Sequence, residues 1–399
     1  MRILRTLFVS TMFVAMATSV QALPPETAPA PDDPALILTK RLDLDRYKAT
    51  IKGLTRFGDR RQGTQRNRDA LNWIEAQLKS YGCTNTQRLT YQFGEEPAHY
   101  VAPAAARPDD VHFNVGGARA RGWARPTGVN TDPNAQPDAK LRALNAPPAV
   151  PGERQEVWCT KVGHTHPGEM YIVAAHMDGI GWGEAANDDG SGTALVMELA
   201  RVFSSPDVKT DRSIRFILWN NEETGLNGAV AYVAQRASLQ GKQDAAGHYP
   251  EPKWLGMIQH DMMLFDHGMP RSDGTMPKGQ RAEADVNIEF QARSKFAEGA
   301  QQLAWAFQDA NEHYASDYPA QVGRHMTNTD STPFMDLVPA ISLRENERGA
   351  QIGNGWDPQW HQPTDVYATY SDPDFRLGLN AAQTTLSALA RLAGASIQH

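Results

Sequence analysis

Every residue from Met170 to Ala175 is apolar, and turn residues bound the run on both sides. Ser213 to Trp219, Trp254 to Gln259 and Pro339 to Leu343 repeat that pattern with β-branched and aromatic residues. Short unbroken apolar runs predict strands buried on both faces. Thr86 to Phe93 and Val286 to Ala292 alternate instead, and Glu156 to Val162 also reads as a strand. Between them the period changes to that of a helix. Ala70, Leu71, Ile74 and Leu78 share one face of a helix over Asn67 to Tyr81, with Gly82 as its stop. Leu195, Leu199 and Val202 do the same over Gly192 to Phe203, and Val230, Val233 and Ala237 point inward over Ala229 to Leu239. Ala300 to His313 and Leu377 to Leu392 complete the series. Strands alternating with helices predict an α/β three-layer sandwich: a mixed, mostly parallel twisted sheet with helices on both faces.

The ends and one internal stretch fall outside this rhythm. Arg2 and Arg5 precede an apolar segment from Leu7 to Val20, and Val20-Gln21-Ala22 offers a small-residue cleavage point. Residues 1–22 are therefore expected to be a signal peptide directing export to a periplasm or the medium. Residues 23–34 are rich in Pro and Ala and read as an extended linker. Residues 35–399 are expected to form one domain, interrupted at about 95–154 by a Pro-, Ala-, Gly- and Arg-rich insertion without clear periodicity.

Composition narrows the function classes. The chain has 399 residues, 41% of them hydrophobic, and a formal net charge of -7. That balance, with no long basic run, argues against a nucleic-acid partner. No second apolar run is long enough to span a bilayer, so no stable membrane association is expected after signal cleavage. Cys83 and Cys159 are the only cysteines. They are a candidate disulfide in an oxidising compartment, against two buried thiols. Nothing fixes an oligomeric state.

Five fragments carry metal-ligand chemistry: His176 with Asp178, Asp188, the pair Glu222-Glu223, Asp261 and His361. His176, the Glu pair and Asp261 each follow an apolar strand, and open α/β sheets place their chemistry at the carboxyl ends of such strands. Asp178, two residues past His176, is placed to hydrogen-bond that imidazole and fix its tautomer. Adjacent Glu222 and Glu223 diverge, so that one can ligate while the other faces a reacting water. Asp189 reads as a helix N-cap. His260 faces the opposite side of its strand from Asp261. His164 and His166 sit in a turn and carry little expectation of a ligand role. Nitrogen and oxygen donors without a thiolate suit Zn²⁺, with Mn²⁺ or Co²⁺ as substitutes. No Gly-x-Ser-x-Gly elbow or phosphate loop is present.

In order and spacing, these fragments resemble the secreted di-zinc aminopeptidases, a family that includes glutamate carboxypeptidase-like enzymes and glutaminyl cyclases. The resemblance covers about residues 161–392. It implies a peptidase domain binding two Zn²⁺ ions: His176 and Asp261 at one, Glu223 and His361 at the other, Asp188 bridging. Glu222 would be the general base, and Asp178 the catalytic residue orienting His176. Asp330-Ser331-Thr332-Pro333-Phe334 is similar to the family's Asp-His-x-Pro-Phe segment, with Ser331 in place of the His. Trp360 stands where some members have Tyr. The implied reaction is hydrolysis of the N-terminal peptide bond of peptides. The alternatives are a carboxypeptidase or dipeptidase, then a glutaminyl cyclase or an inactive peptide-binding relative.

Overall fold

A computed structural model describes residues 28–94, 129–265, 286–326, 328–345 and 357–398. The expected signal peptide and most of the insertion, 95–128, lie outside the described residues. Helices α1 (Pro34–Thr39), α2 (Leu44–Thr55) and α3 (Gln65–Ser80) come first, each opened by a side-chain cap from Asp33, Asp43 or Thr64. Asp33 and Pro34, expected in the linker, already belong to the start of α1. Strand β1 (Gln87–Phe93) precedes the insertion. Residues 129–154, expected to belong to an aperiodic insertion, are partly regular. They carry α4 (Ala139–Asn145), capped by Asp138, and β2 (Gly152–Lys161) begins inside the insertion's assigned range. Polar Gly152 to Gln155 hide that part of the strand from an apolar-run reading.

The remaining elements follow the predicted rhythm. They are β3 (His166–His176), α5 (Gly190–Phe203), β4 (Val208–Thr210), β5 (Arg212–Trp219), α6 (Asn227–Arg236) and β6 (Lys253–His260). Then come β7 (Val286–Phe290), α7 (Ala297–Tyr314), β8 (Ala320–Gly323), β9 (Ala340–Arg344), α8 (Asp372–Leu392) and β10 (Ala395–Ile397). Eight strands form one sheet in the order β1-β2-β5-β3-β6-β9-β7-β8, and β10 pairs with β4 apart from it. The four central strands β5, β3, β6 and β9 are parallel and buried on both faces, which is why apolar residues dominate their sequences. β2 runs antiparallel to β5, and β7 antiparallel to β9.

The two faces are covered unequally. On one, α5 is buried along almost its whole length, and its core is continuous with residues of α2, α3, α7 and α8. On the other, α6 packs Tyr232 into an aromatic group with Trp158, Trp219, Trp254 and Phe334. The inward face of α6 is Ala229, Tyr232 and Val233; Val230 and Ala237, expected inward, are half-buried. Tyr232 sets the rotation because its ring fills the larger space beside Trp219 and Trp254. Cys83, just past α3, is joined to Cys159 of β2 by a disulfide with a Cα–Cα distance of 5.9 Å. Among the described residues no helix is long and apolar enough to cross a membrane.

Candidate metal centre

Parallel register delivers the ligand-type residues to one edge. His176 pairs with Trp219 at the ends of β3 and β5, so the Glu222-Glu223 turn begins beside it. His260 pairs with Leu343, which sets Asp261 against Arg344 at the ends of β6 and β9. Asp188 comes from the turn before α5, and His361 from the loop between β9 and α8. Several of these turns bend at residues with positive φ that are not glycine: Asn221 (65°), Met262 (62°) and His361 (59°). Such conformations cost about 1–3 kcal/mol each and persist where the surroundings enforce them.

Two groups of donor atoms result. One atom each from His176, Asp188 and Asp261 lies within 4.8 Å of the others, and the same holds for Asp188, Glu223 and His361. Asp188 belongs to both. Its Oδ1 is 3.2 Å from His176 Nε2 and its Oδ2 3.1 Å from His361 Nε2. Glu223 Oε2 is 2.7 Å from His361 Nε2, and Asp261 Oδ1 is 3.9 Å from His176 Nε2. His176, Asp188, Asp261, His361 and the Glu223 side chain are buried, while Glu222 keeps partial access at its turn.

The supporting contacts differ in part from expectation. His176 Nδ1 lies 3.0 Å from the backbone carbonyl of Asp178, while the Asp178 carboxylate is 3.8 Å away, too far for a hydrogen bond. That carboxylate instead accepts the Glu222 N–H through Oδ1 at 3.1 Å. The short turn between the two residues brings the main chain, and not the side chain, under the ring. Asp189 is the N-cap of α5, accepting from Gly192 N–H, and it also accepts from His176 and Met262 N–H. It thereby ties the ends of β3 and β6 to the helix. His260 points away, between Ala174 O and Thr385 Oγ1, and burial pulls its imidazole down to about 4. His164 and His166 are exposed at the opposite end of β3. Ser331, where the family segment has His, pairs its hydroxyl with Ser342 Oγ at 2.7 Å.

The loops are held by residues that motif reading did not single out. Fully buried Arg60 donates to the carbonyls of Gly58, Met177, Glu184 and Ala185. Asp365 accepts from the Asn187 and Asp188 N–H groups. Gln136 Nε2, from the returning insertion, donates to Trp182 O and Pro363 O, so one side chain links two site loops. Arg344 Nη2 lies 2.6 Å from Asp261 Oδ2. Arg344 carried the same signal as His176, a charged residue closing a buried strand.

The electrostatics are those of a cation site. Burial pulls the His361 imidazole down, but adjoining Glu223 and Asp188 outweigh it and push it up to about 10. Burial raises Glu223 to about 7 against the pull of His361. Burial likewise pushes Glu222 and Asp330 well above the usual carboxylate range. Glu223 Oε1, Asp178 Oδ2, His361 Nδ1 and both oxygens of Asp330 are buried without a hydrogen-bond partner among the described residues. Buried donors that crowd and repel in this way fit divalent cations, which would neutralise them. Imidazole and carboxylate without thiolate fit zinc.

A sheet with this strand order and this donor edge defines an α/β protein with candidate cation ligands at its strand ends. The model of peptidase family M28 matches residues 157–382, more than half of the chain, and the chain belongs to that family. The resemblance read from the motifs is thus met. Aminopeptidase YwaD of Bacillus subtilis is 47% identical over 68 residues, 17% of this chain and 14% of YwaD. Carboxypeptidase Q of Xenopus laevis is 31% identical over 93 residues, 23% of this chain and 19% of that protein. The chain thus matches under a fifth of the length of either. Among solved structures, the zinc aminopeptidase BSAP from Bacillus subtilis superposes with a TM-score of 0.59 at 16% identity, covering 90% of this chain and 96% of that one. At that identity the likeness shows the fold, and the three-layer α/β expectation is met.

Proposed function

We propose that the chain is a two-cation exopeptidase that removes the N-terminal residue of peptides. The observation that carries this reading is the pair of donor groups sharing Asp188. His176, Asp188 and Asp261 would hold one zinc ion, and Asp188, Glu223 and His361 the other. Two cations bound there supply Lewis acidity toward a water and a scissile carbonyl. Glu222 then takes the proton of the attacking water and delivers it to the departing amine nitrogen. Burial raises its carboxyl well above the usual carboxylate range. Asp178 anchors the turn carrying Glu222. His176 keeps Nε2 free for ligation because Nδ1–H is engaged by Asp178 O.

The likeness to aminopeptidase YwaD favours the amino end of the substrate. The similarity to carboxypeptidase Q keeps the opposite polarity as the second reading. Aminoacyl amides and N-acetylated peptides separate the two. Hydrolysis of the free amides, loss of activity with a chelator and recovery with zinc are expected. Turnover of N-acetylated peptides at equal or greater rate would refute the aminopeptidase reading. Export by residues 1–22 belongs to the same proposal: protein expressed in a bacterium should be found outside the cytoplasm, beginning at Leu23.

A further inference from the structure

Arg344 closes β9 directly beside Asp261, and the Asp261 N–H is fixed on Leu343 O at 3.2 Å. The Arg344 side chain is buried, and its Nη2 donates to Asp261 Oδ2 at 2.6 Å. Glu289 of β7 stands on the far side, its Oε2 3.9 Å from Arg344 Nε. The two oxygens of Asp261 therefore have different surroundings: Oδ2 faces a guanidinium and Oδ1 faces His176 Nε2. Glu223, the matching carboxylate of the other donor group, has no such partner. Its Oε1 is buried without a hydrogen bond among the described residues.

We propose that Arg344 is a positioning residue that confines Asp261 chiefly to ligation through Oδ1. The proposal rests on the two-cation reading above. A carboxylate with both oxygens free can chelate a cation and fill two positions around it. With Oδ2 held by a buried, charge-assisted bond, one of its lone pairs is occupied and its charge is drawn toward the guanidinium, so Oδ2 would be the weaker donor and Asp261 would ligate chiefly through Oδ1. A cation held by His176, Asp188 and Asp261 would then keep one position for substrate, as a catalytic site requires. Glu223, whose Oε1 has no hydrogen-bond partner among the described residues, would place no such limit on a cation at His361.

The test uses the full chain loaded with Co²⁺, whose visible absorption weakens as coordination number rises. Arg344→Met should still bind two ions, lose visible intensity, and lower kcat/KM about 10-fold or more. Arg344→Lys, which keeps a donor for Oδ2, should recover the wild-type spectrum. An unchanged spectrum in a folded, two-ion Arg344→Met variant would overturn the proposal. So would loss of the Asp261-side ion, because Arg344 would then build the site and not limit it. If Arg344→Met does not fold, the crystal structure of the zinc-loaded wild type decides: Arg344 on Oδ2 with one Asp261 oxygen on zinc supports the proposal, and a chelating Asp261 overturns it. Wild-type protein binding no ions at all would instead sink the two-cation reading itself.

Discussion

Asp178 Oδ1 accepts the backbone N–H of Glu222 at 3.1 Å, so the carboxylate next to His176 serves the turn after β5 and not the imidazole. The ring is oriented by a main-chain carbonyl that no side-chain substitution removes. Asp178→Ala is accordingly expected to reduce kcat by about 10–100-fold through a loosened Glu222 turn, with a smaller effect on zinc affinity. Asp178→Asn, which keeps an acceptor, should be milder. Competition with a chelator, run beside steady-state kinetics, checks the split. A zinc affinity that collapses in both variants would mean that the carboxylate supports the imidazole after all.

Glu222 and Glu223 are neighbours with different surroundings. Glu223 lies against His361, while Glu222 has the His176 imidazole and Asp330 as electrostatic neighbours. Glu222→Gln should keep both cations and lose at least about 10²-fold in kcat, the usual scale of a general base. Glu223→Gln should weaken zinc binding as well. Metal content by elemental analysis separates them, and equal zinc loss in both would contradict the assignment.

Asp188 has one oxygen toward each imidazole. Asp188→Ala should therefore weaken both cation positions, whereas Asp261→Ala should weaken one. Zinc titration followed by calorimetry distinguishes these outcomes, and an Asp188→Ala protein with two tightly bound ions would rule out a shared ligand.

The sequence revealed those parts of the fold where burial is complete on both faces. β3, β5 and β6 are apolar because helices and the aromatic group exclude water from both sides, and their ends give the site edge directly. β4, β8 and β10 are three or four residues long, too short for any period to emerge. In α2, Tyr47, Ile51 and Leu54 keep helical spacing, yet this helix is not among the elements predicted above. The candidate ligands were legible as residue types at strand ends. Their supports were not. Arg60 and Gln136 act through backbone carbonyls brought near by tertiary folding, and positive φ at His361 leaves no trace in a residue that is not glycine.

Away from the site, Glu75 on α3 clasps β1. Its carboxylate accepts from Arg88 Nη2 at 2.5 Å, from Arg88 Nε at 2.9 Å and from Thr86 Oγ1 at 3.0 Å, with Lys79 2.8 Å away. Partial burial raises this group, but Lys79, Arg88 and Thr86 prevail and lower it to about 2 from an ordinary value of 4.5. A depressed carboxylate stabilises the fold in full above its unfolded value, and the contribution fades as pH falls from about 4.5 through about 2. Because the group is partly solvated, about 1 kcal/mol is expected at neutral pH. Glu75→Gln should thus lower the urea midpoint at pH 7, and its deficit against wild type should shrink steadily below pH 4.5. A deficit that stays constant down to pH 3 would show that the Glu75 side chain acts through packing, with its charge irrelevant.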